Sequence, residues 1–242
     1  MIQTIDANWS APIGIRACCT TRHGGVSQGS YEGLNLGLHV GDLEADVLEN
    51  RRLLRQSLSL PSEPCWINQT HGVQSVRLEQ DADRDADAAV TSERGRVAVV
   101  MTADCLPILV CNRAGSEVAA IHAGWRGLQA GVIESGISAM RSSPQQLMAW
   151  IGPGISQSRF EVGDEVYEAF EDRVADAQAC FSANRPGHWL CNLAGLAGQV
   201  LHAIGVEEIS FAPYCTYDDD ELFYSYRREA VTGRMASLIW IS

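Results

Sequence analysis

Three segments of the sequence carry side chains that bind metal ions: residues 68–73 contain His71, residues 102–105 end in Cys105, and residues 121–127 contain His122. Together they offer two imidazoles and one thiolate. Three nitrogen and sulfur ligands with a fourth position left to water is the arrangement of a catalytic zinc, whereas a structural zinc closes all four positions with protein. Copper competes for the same donors, because the affinity order favours Cu over Zn and a thiolate holds Cu(I). The pattern points to an enzyme rather than a zinc-stapled module. Asp104 is the carboxylate nearest to this set in sequence. In an extended strand it would face away from Cys105, so a catalytic part for it requires a bend there, and a supporting role fits equally well.

The elements that must position these residues are read from hydrophobic periodicity. Strands are expected over 15–21, 73–78, 97–101, 106–111, 118–122, 147–151, 209–214 and 236–241. Pro107 has no N–H, so its strand must bulge or bond on one side only. Helical spacing appears in Val47, Leu48, Leu54 and Leu58, with Asp42 as a cap and Pro61 beyond the end. It recurs from Leu128 to Met140, in Val166, Phe170 and Val174, and from Leu193 to Ile204. Strands interspersed with helices predict an α/β or mixed α+β fold, taken as one layered domain over 1–242. The Leu residues of 34–42 alternate as in a strand, with Asn35 and His39 on one face; His39 reads as a structural, hydrogen-bonding histidine. The paired glycines of Thr21-Arg22-His23-Gly24-Gly25-Val26-Ser27 suit either a tight turn whose N–H groups cradle an anion or an ordinary hairpin. The acidic, Ala-rich stretch 81–87 reads as a solvated loop.

Composition excludes several classes. Eighteen Lys+Arg against thirty Asp+Glu give a net charge of -12, a field that repels nucleic acid and anionic membrane surfaces. The first residues lack a basic, then apolar, export signal, and no run is long enough to span a bilayer, so a cytoplasmic location is expected. Eight cysteines without CxxC spacing then read as reduced thiols.

Several stretches in order resemble the YfiH family, also called polyphenol oxidase or laccase-domain, purine nucleoside phosphorylase and peptidoglycan editing factor. They are 21–27, Leu34-Asn35-Leu36-Gly37-Leu38-His39-Val40-Gly41-Asp42, Asn68-Gln69-Thr70-His71-Gly72, Thr102-Ala103-Asp104-Cys105-Leu106-Pro107 and His122-Ala123-Gly124-Trp125-Arg126-Gly127, with 151–153, 160–163, 223–228 and 232–236 beyond them. The resemblance implies a layered α/β fold, also likened to toxin cysteine hydrolases, and zinc ligands at His71, Cys105 and His122. It implies phosphorolysis of adenosine, inosine, guanosine and methylthioadenosine, and deamination of adenosine. A metal-activated water would attack C6 of adenine. Phosphorolysis needs an oxyanion pocket, for which Arg22, Arg126 and Arg227 are candidates, with Asn35 and Gln69 as further substrate contacts. Each arginine alone suits a surface ion pair equally. Trp125 suits core packing better than base stacking. Where many members have a second cysteine three residues after the one matching Cys215, Asp218 stands here, and no metal or redox role is placed on Cys215.

The laccase name is tested by counting: six histidines without a single His-x-His pair cannot furnish a mononuclear and a trinuclear copper centre. Copper-dependent phenol oxidation is then a side activity. Two other classes stay open: a metal-free cysteine hydrolase with Cys105 as nucleophile and His122 or His71 as base, acting on a cell-wall peptide, and a non-enzymatic binding protein stabilised by zinc.

Overall fold

The computed structural model describes residues 1–242. Its first half holds β1 (Thr4–Asp6), β2 (Ile15–Thr20), α1 (Glu44–Ser57), β3 (Ser75–Arg77), β4 (Ala88–Thr91), β5 (Ala98–Thr102), β6 (Leu106–Asn112) and β7 (Val118–Ala123). There follow α2 (Trp125–Ala130), α3 (Val132–Ser138), β8 (Leu147–Ile151), β9 (Glu161–Gly163), α4 (Asp164–Glu171), β10 (Phe181–Arg185), β11 (His188–Cys191), α5 (Leu193–Ala203), β12 (Glu208–Phe211) and β13 (Met235–Ile241). The strands form a six-stranded sheet, β12-β8-β6-β7-β4-β3, a four-stranded sheet, β1-β2-β13-β5, and a three-stranded sheet, β10-β11-β9. In the largest, β12 runs parallel to β8 and β3 to β4, and the other pairs are antiparallel. The fold is the mixed α/β class expected.

Strand β6 shows why the layers stack. Its residues alternate between two cores: Ile108 and Val110 pack with Leu128, Ile133 and Leu196 of the helices, while Leu109 and Cys111 pack with Val100 of β5 and Ile239 of β13. Burial on both faces is what makes β6 an unbroken apolar run in sequence. The outer face of the four-stranded sheet is covered by Leu34, Leu36 and Leu54, the last from α1.

Some sequence expectations change. Residues 34–42 do not form a strand. Leu34 and Leu36 are both fully buried, each stabilising by about 1.5–3 kcal/mol, and between them Asn35 supplies the backbone's hydrogen bonds: its Oδ1 accepts from Gly37 N and Arg234 N. Asp42 does not cap α1; Leu43 holds that place, and Asp42 accepts from Leu43 N, Ser27 Oγ and Asn35 Nδ2. The helical run from Leu128 is broken in two at Gly131, whose φ of 105° ends α2 and which only glycine adopts without strain. Pro107 keeps the β6–β7 register without a bulge. Its carbonyl accepts from Gly152 N on the β8 side, so its missing donor falls just past Ile151, the last paired residue of β8.

Candidate metal centre

The ends of β5, β6 and β7 converge on the three expected ligands. His122, near the end of β7, lies opposite Pro107 and is 2% exposed. Cys105 immediately precedes β6, where Asp104 turns the chain with a φ of 90°; His71, in the loop before β3, has a φ of 59°. Left-handed backbone at two non-glycine residues costs about 1–3 kcal/mol each and persists where the surroundings enforce it. The ligating atoms of His71, Cys105 and His122 all lie within 4.8 Å of one another. Cys105 Sγ stands 3.9 Å from His71 Nε2, and the two imidazoles meet edge to face with centroids 4.7 Å apart. Gly124 permits this approach, because a Cβ there would sit 3.0 Å from Cys105 Sγ and 3.1 Å from His71 Cδ2.

Asp87 organises the group. Fully buried, it accepts from Thr70 N and Oγ1, His71 N and Gly72 N, and its Oδ1 lies 2.7 Å from His122 Nδ1. That contact fixes the His122 tautomer and leaves Nε2 to ligate. The expectation of a solvated loop over 81–87 fails at this residue: the apolar strand β4 begins at the next one and carries Asp87 inside. Burial opposes ionisation of Asp87, but the hydrogen bonds from His122 and Gly72 N outweigh it and hold its pKa below the ordinary carboxylate value.

The electrostatics make the site ready for a cation. Burial alone would raise the Cys105 thiol, yet the charge and hydrogen bond of His122, then those of His71, bring it down to about 6. His122, which burial would lower, is raised to about 9 by the Cys105 thiolate and then by Asp87. The two shifts are opposite in sign and each is caused largely by the other group, so they favour a thiolate beside an imidazolium, and a metal ion bound there would displace protons from the pair.

These residues line a cleft of about 490 Å³, within the range of small-molecule sites. Gln69, Asp104, Arg126 and Arg227 face it, together with Trp125, which is half-buried, and with His39 and Arg234, which sequence reasoning had not placed there. Arg22 and Asn35 lie outside its lining. Arg22 donates to Asp220 O and Glu32 O and stacks on Tyr224. At the neighbouring glycine pair the chain packs closely on itself, since a Cβ at Gly25 would stand 2.2 Å from Gly33 O. Gln69 is committed to β5: its amide donates to Met101 O and accepts from Met101 N, both at 2.7 Å. Asp104 has one oxygen taken by Thr216 Oγ1 at 2.7 Å and the other by Arg227 N at 2.6 Å. The bend that a catalytic Asp104 required is present, but its carboxylate braces two loops. The sequence signal for Asp87 is its place directly before Ala88-Ala89-Val90, which without the fold does not set it apart from the other acids of 81–87.

Fold and site together define a mixed α/β protein with a His–Cys–His metal-binding group in a cleft. The profile of the family described as multi-copper polyphenol oxidoreductase laccase matches residues 16–242, and the chain belongs to that YfiH/laccase-like family. It is 48% identical over 243 residues to the purine nucleoside phosphorylase YfiH of Escherichia coli, covering 100% of each chain, and 45% identical to a purine nucleoside phosphorylase of Pseudomonas aeruginosa over 98% of each. Among solved structures, a Neisseria meningitidis protein matches with a TM-score of 0.95 at 44% identity, covering 99% of both chains. YlmD from Geobacillus stearothermophilus matches with a TM-score of 0.88 at 30% identity, over 95% of this chain and 92% of that one. No helix is long and apolar enough to cross a membrane.

Proposed function

We propose that this chain is a zinc enzyme of purine nucleosides, carrying out phosphorolysis of adenosine, inosine, guanosine and methylthioadenosine and hydrolytic deamination of adenosine. The observation that carries the reading is the convergence of His71, Cys105 and His122 in a cleft also lined by Arg126, Arg227 and Arg234. The names of the relatives point to the same substrate class. The donor set fits zinc: two imidazoles, one with its tautomer fixed by Asp87, and a thiol already favouring the thiolate. Copper fits the same donors, with phenol oxidation as a secondary activity. Zinc held there would act as a Lewis acid on an oxygen or water brought to the cleft.

The chain's own residues bind and orient. Trp125, Phe160, Ile155 and Leu193 give the cleft apolar surface for a purine ring. Arg126 lies over the Trp125 ring at 4.4 Å and takes part in no ion pair, so its guanidinium is free to grip phosphate bidentately. Arg227 donates one N–H to Glu161 O, and Asp104 fixes its backbone, which aims the remaining donors. Arg126→Lys is expected to reduce phosphorolysis by about 10–100-fold, the worth of a charged hydrogen bond of about 1.5–3 kcal/mol, and to reduce deamination much less. Steady-state rates of both reactions on one preparation test this; equal losses would assign Arg126 a general structural role.

A second reading is favoured by one observation. Cys105 and His122 offer atoms within 4.8 Å of each other, and His122 Nδ1 meets Asp87 Oδ1 at 2.7 Å, an arrangement of nucleophile, base and orienting acid that a cysteine hydrolase acting on an amide such as a cell-wall precursor would use. The two readings differ in whether Cys105 is a metal ligand or a nucleophile during turnover.

A further inference from the structure

Within the cleft, the ligands and the carboxylates are all engaged. His71, Cys105 and His122 form the metal group, both oxygens of Asp104 accept hydrogen bonds, and Asp87 lies beneath with its oxygens filled. Phosphorolysis nevertheless has a proton to move, from the attacking phosphate to the departing purine. His39 faces the cleft, and no protein group hydrogen-bonds its ring.

The loop presenting His39 is held on every side. Asn35 Oδ1 receives Gly37 N and Arg234 N, and its Nδ2 reaches Asp42. Arg51 donates twice to Leu36 O, at 3.0 and 2.8 Å, and Tyr31 Oη donates to Val40 O at 2.7 Å. Gly37 allows the Arg234 side chain to lie against the loop, since a Cβ there would be 2.9 Å from Arg234 Cγ. A braced irregular segment whose histidine ring has no structural partner is more than a surface turn requires.

Resting on the phosphorolysis reading, we infer that His39 is the catalytic proton carrier of this cleft, taking a proton from phosphate and delivering it to N7 of the leaving purine. As a phosphate oxygen of HPO4 2− bonds to C1′, the C1′–N9 bond breaks and its electron pair passes to the purine. The proton released from phosphate goes to His39, and His39 returns it to N7, leaving ribose 1-phosphate and a neutral base. Imidazole is the side chain that both takes and releases a proton near neutrality. Desolvation, and after it the positive charge of Arg234 and Arg51, lowers the His39 pKa, in the direction that favours the neutral, proton-accepting ring.

The test compares inosine with 7-methylinosine, whose base departs already neutral and needs no proton, using full-length zinc-loaded wild type, His39→Ala and His39→Gln at saturating phosphate, with metal content measured on each. The variants are expected to lose about 10²-fold or more in turnover of inosine and far less with 7-methylinosine, so that the ratio of the two turnover numbers rises about 10²-fold with similar KM. Equal losses on both substrates, or inosine turnover equal to wild type, would overturn the assignment. A wild-type protein that cleaves neither nucleoside would overturn the phosphorolysis reading, and this assignment with it.

Discussion

Replacing Cys105 with alanine is expected to give a folded protein that retains no metal and turns over no nucleoside. The side chain removed is only half-buried and borders the cleft, so little packing is lost. Two imidazoles, His71 and His122, would remain, and two ligands hold zinc poorly. The loss of metal affinity should exceed the roughly 10–100-fold that removal of an outer-shell partner costs. In the wild type, the thiolate that burial opposes and His122 favours is shielded by metal, so alkylation at Cys105 should appear only after chelation. Elemental analysis with circular dichroism, and mass spectrometry of the alkylated wild type, read these outcomes. A variant with its full metal complement would show that Cys105 is not a ligand.

The second large effect is expected at Asp87. Asp87→Asn replaces one acceptor oxygen by an NH2 group that faces donors from Thr70, His71, Gly72 or His122. Breaking a buried charged network of this kind costs about 3–5 kcal/mol, a fall in Tm of about 10 °C for a chain of this size. Metal affinity should fall about 10–100-fold as well, because His122 loses the contact that sets its tautomer. Thermal unfolding and a competitive zinc titration measure the two separately. Unchanged stability with weakened metal would confine Asp87 to tuning His122.

Much of the scaffold could be read from the sequence because its signals are local. Residues 106–111 and 118–122 are apolar runs buried on both faces, and 147–151 agrees with β8 to the residue. The short β9, β10 and β11 carry no such run: β9 has three residues and β11 four, and β10 has one buried residue followed by four exposed. The His71, Cys105 and His122 set was legible from residue type alone, and the fold brings the three together. Asp87 was not, because an acidic stretch looks solvated until one knows that β4 draws its last residue into the core. His39 was hidden for another reason: alternating leucines have the period of a strand, and only the hydrogen bonds of Asn35 reveal that 34–42 is an irregular loop aimed at the cleft. Arg22 and Arg126 look alike in sequence; that one is tied to carbonyls and the other is unpaired depends on distant segments.

The measurement that bears most directly on the central claim is product identification from adenosine with zinc-loaded protein, in the presence and absence of phosphate, repeated after chelation and after zinc is returned. The expected result is adenine and ribose 1-phosphate with phosphate and inosine without it, both ceasing on chelation and resuming with zinc. Turnover undiminished after zinc has gone, accompanied by a covalent substrate adduct on Cys105, would contradict the metal enzyme and leave the cysteine nucleophile in its place.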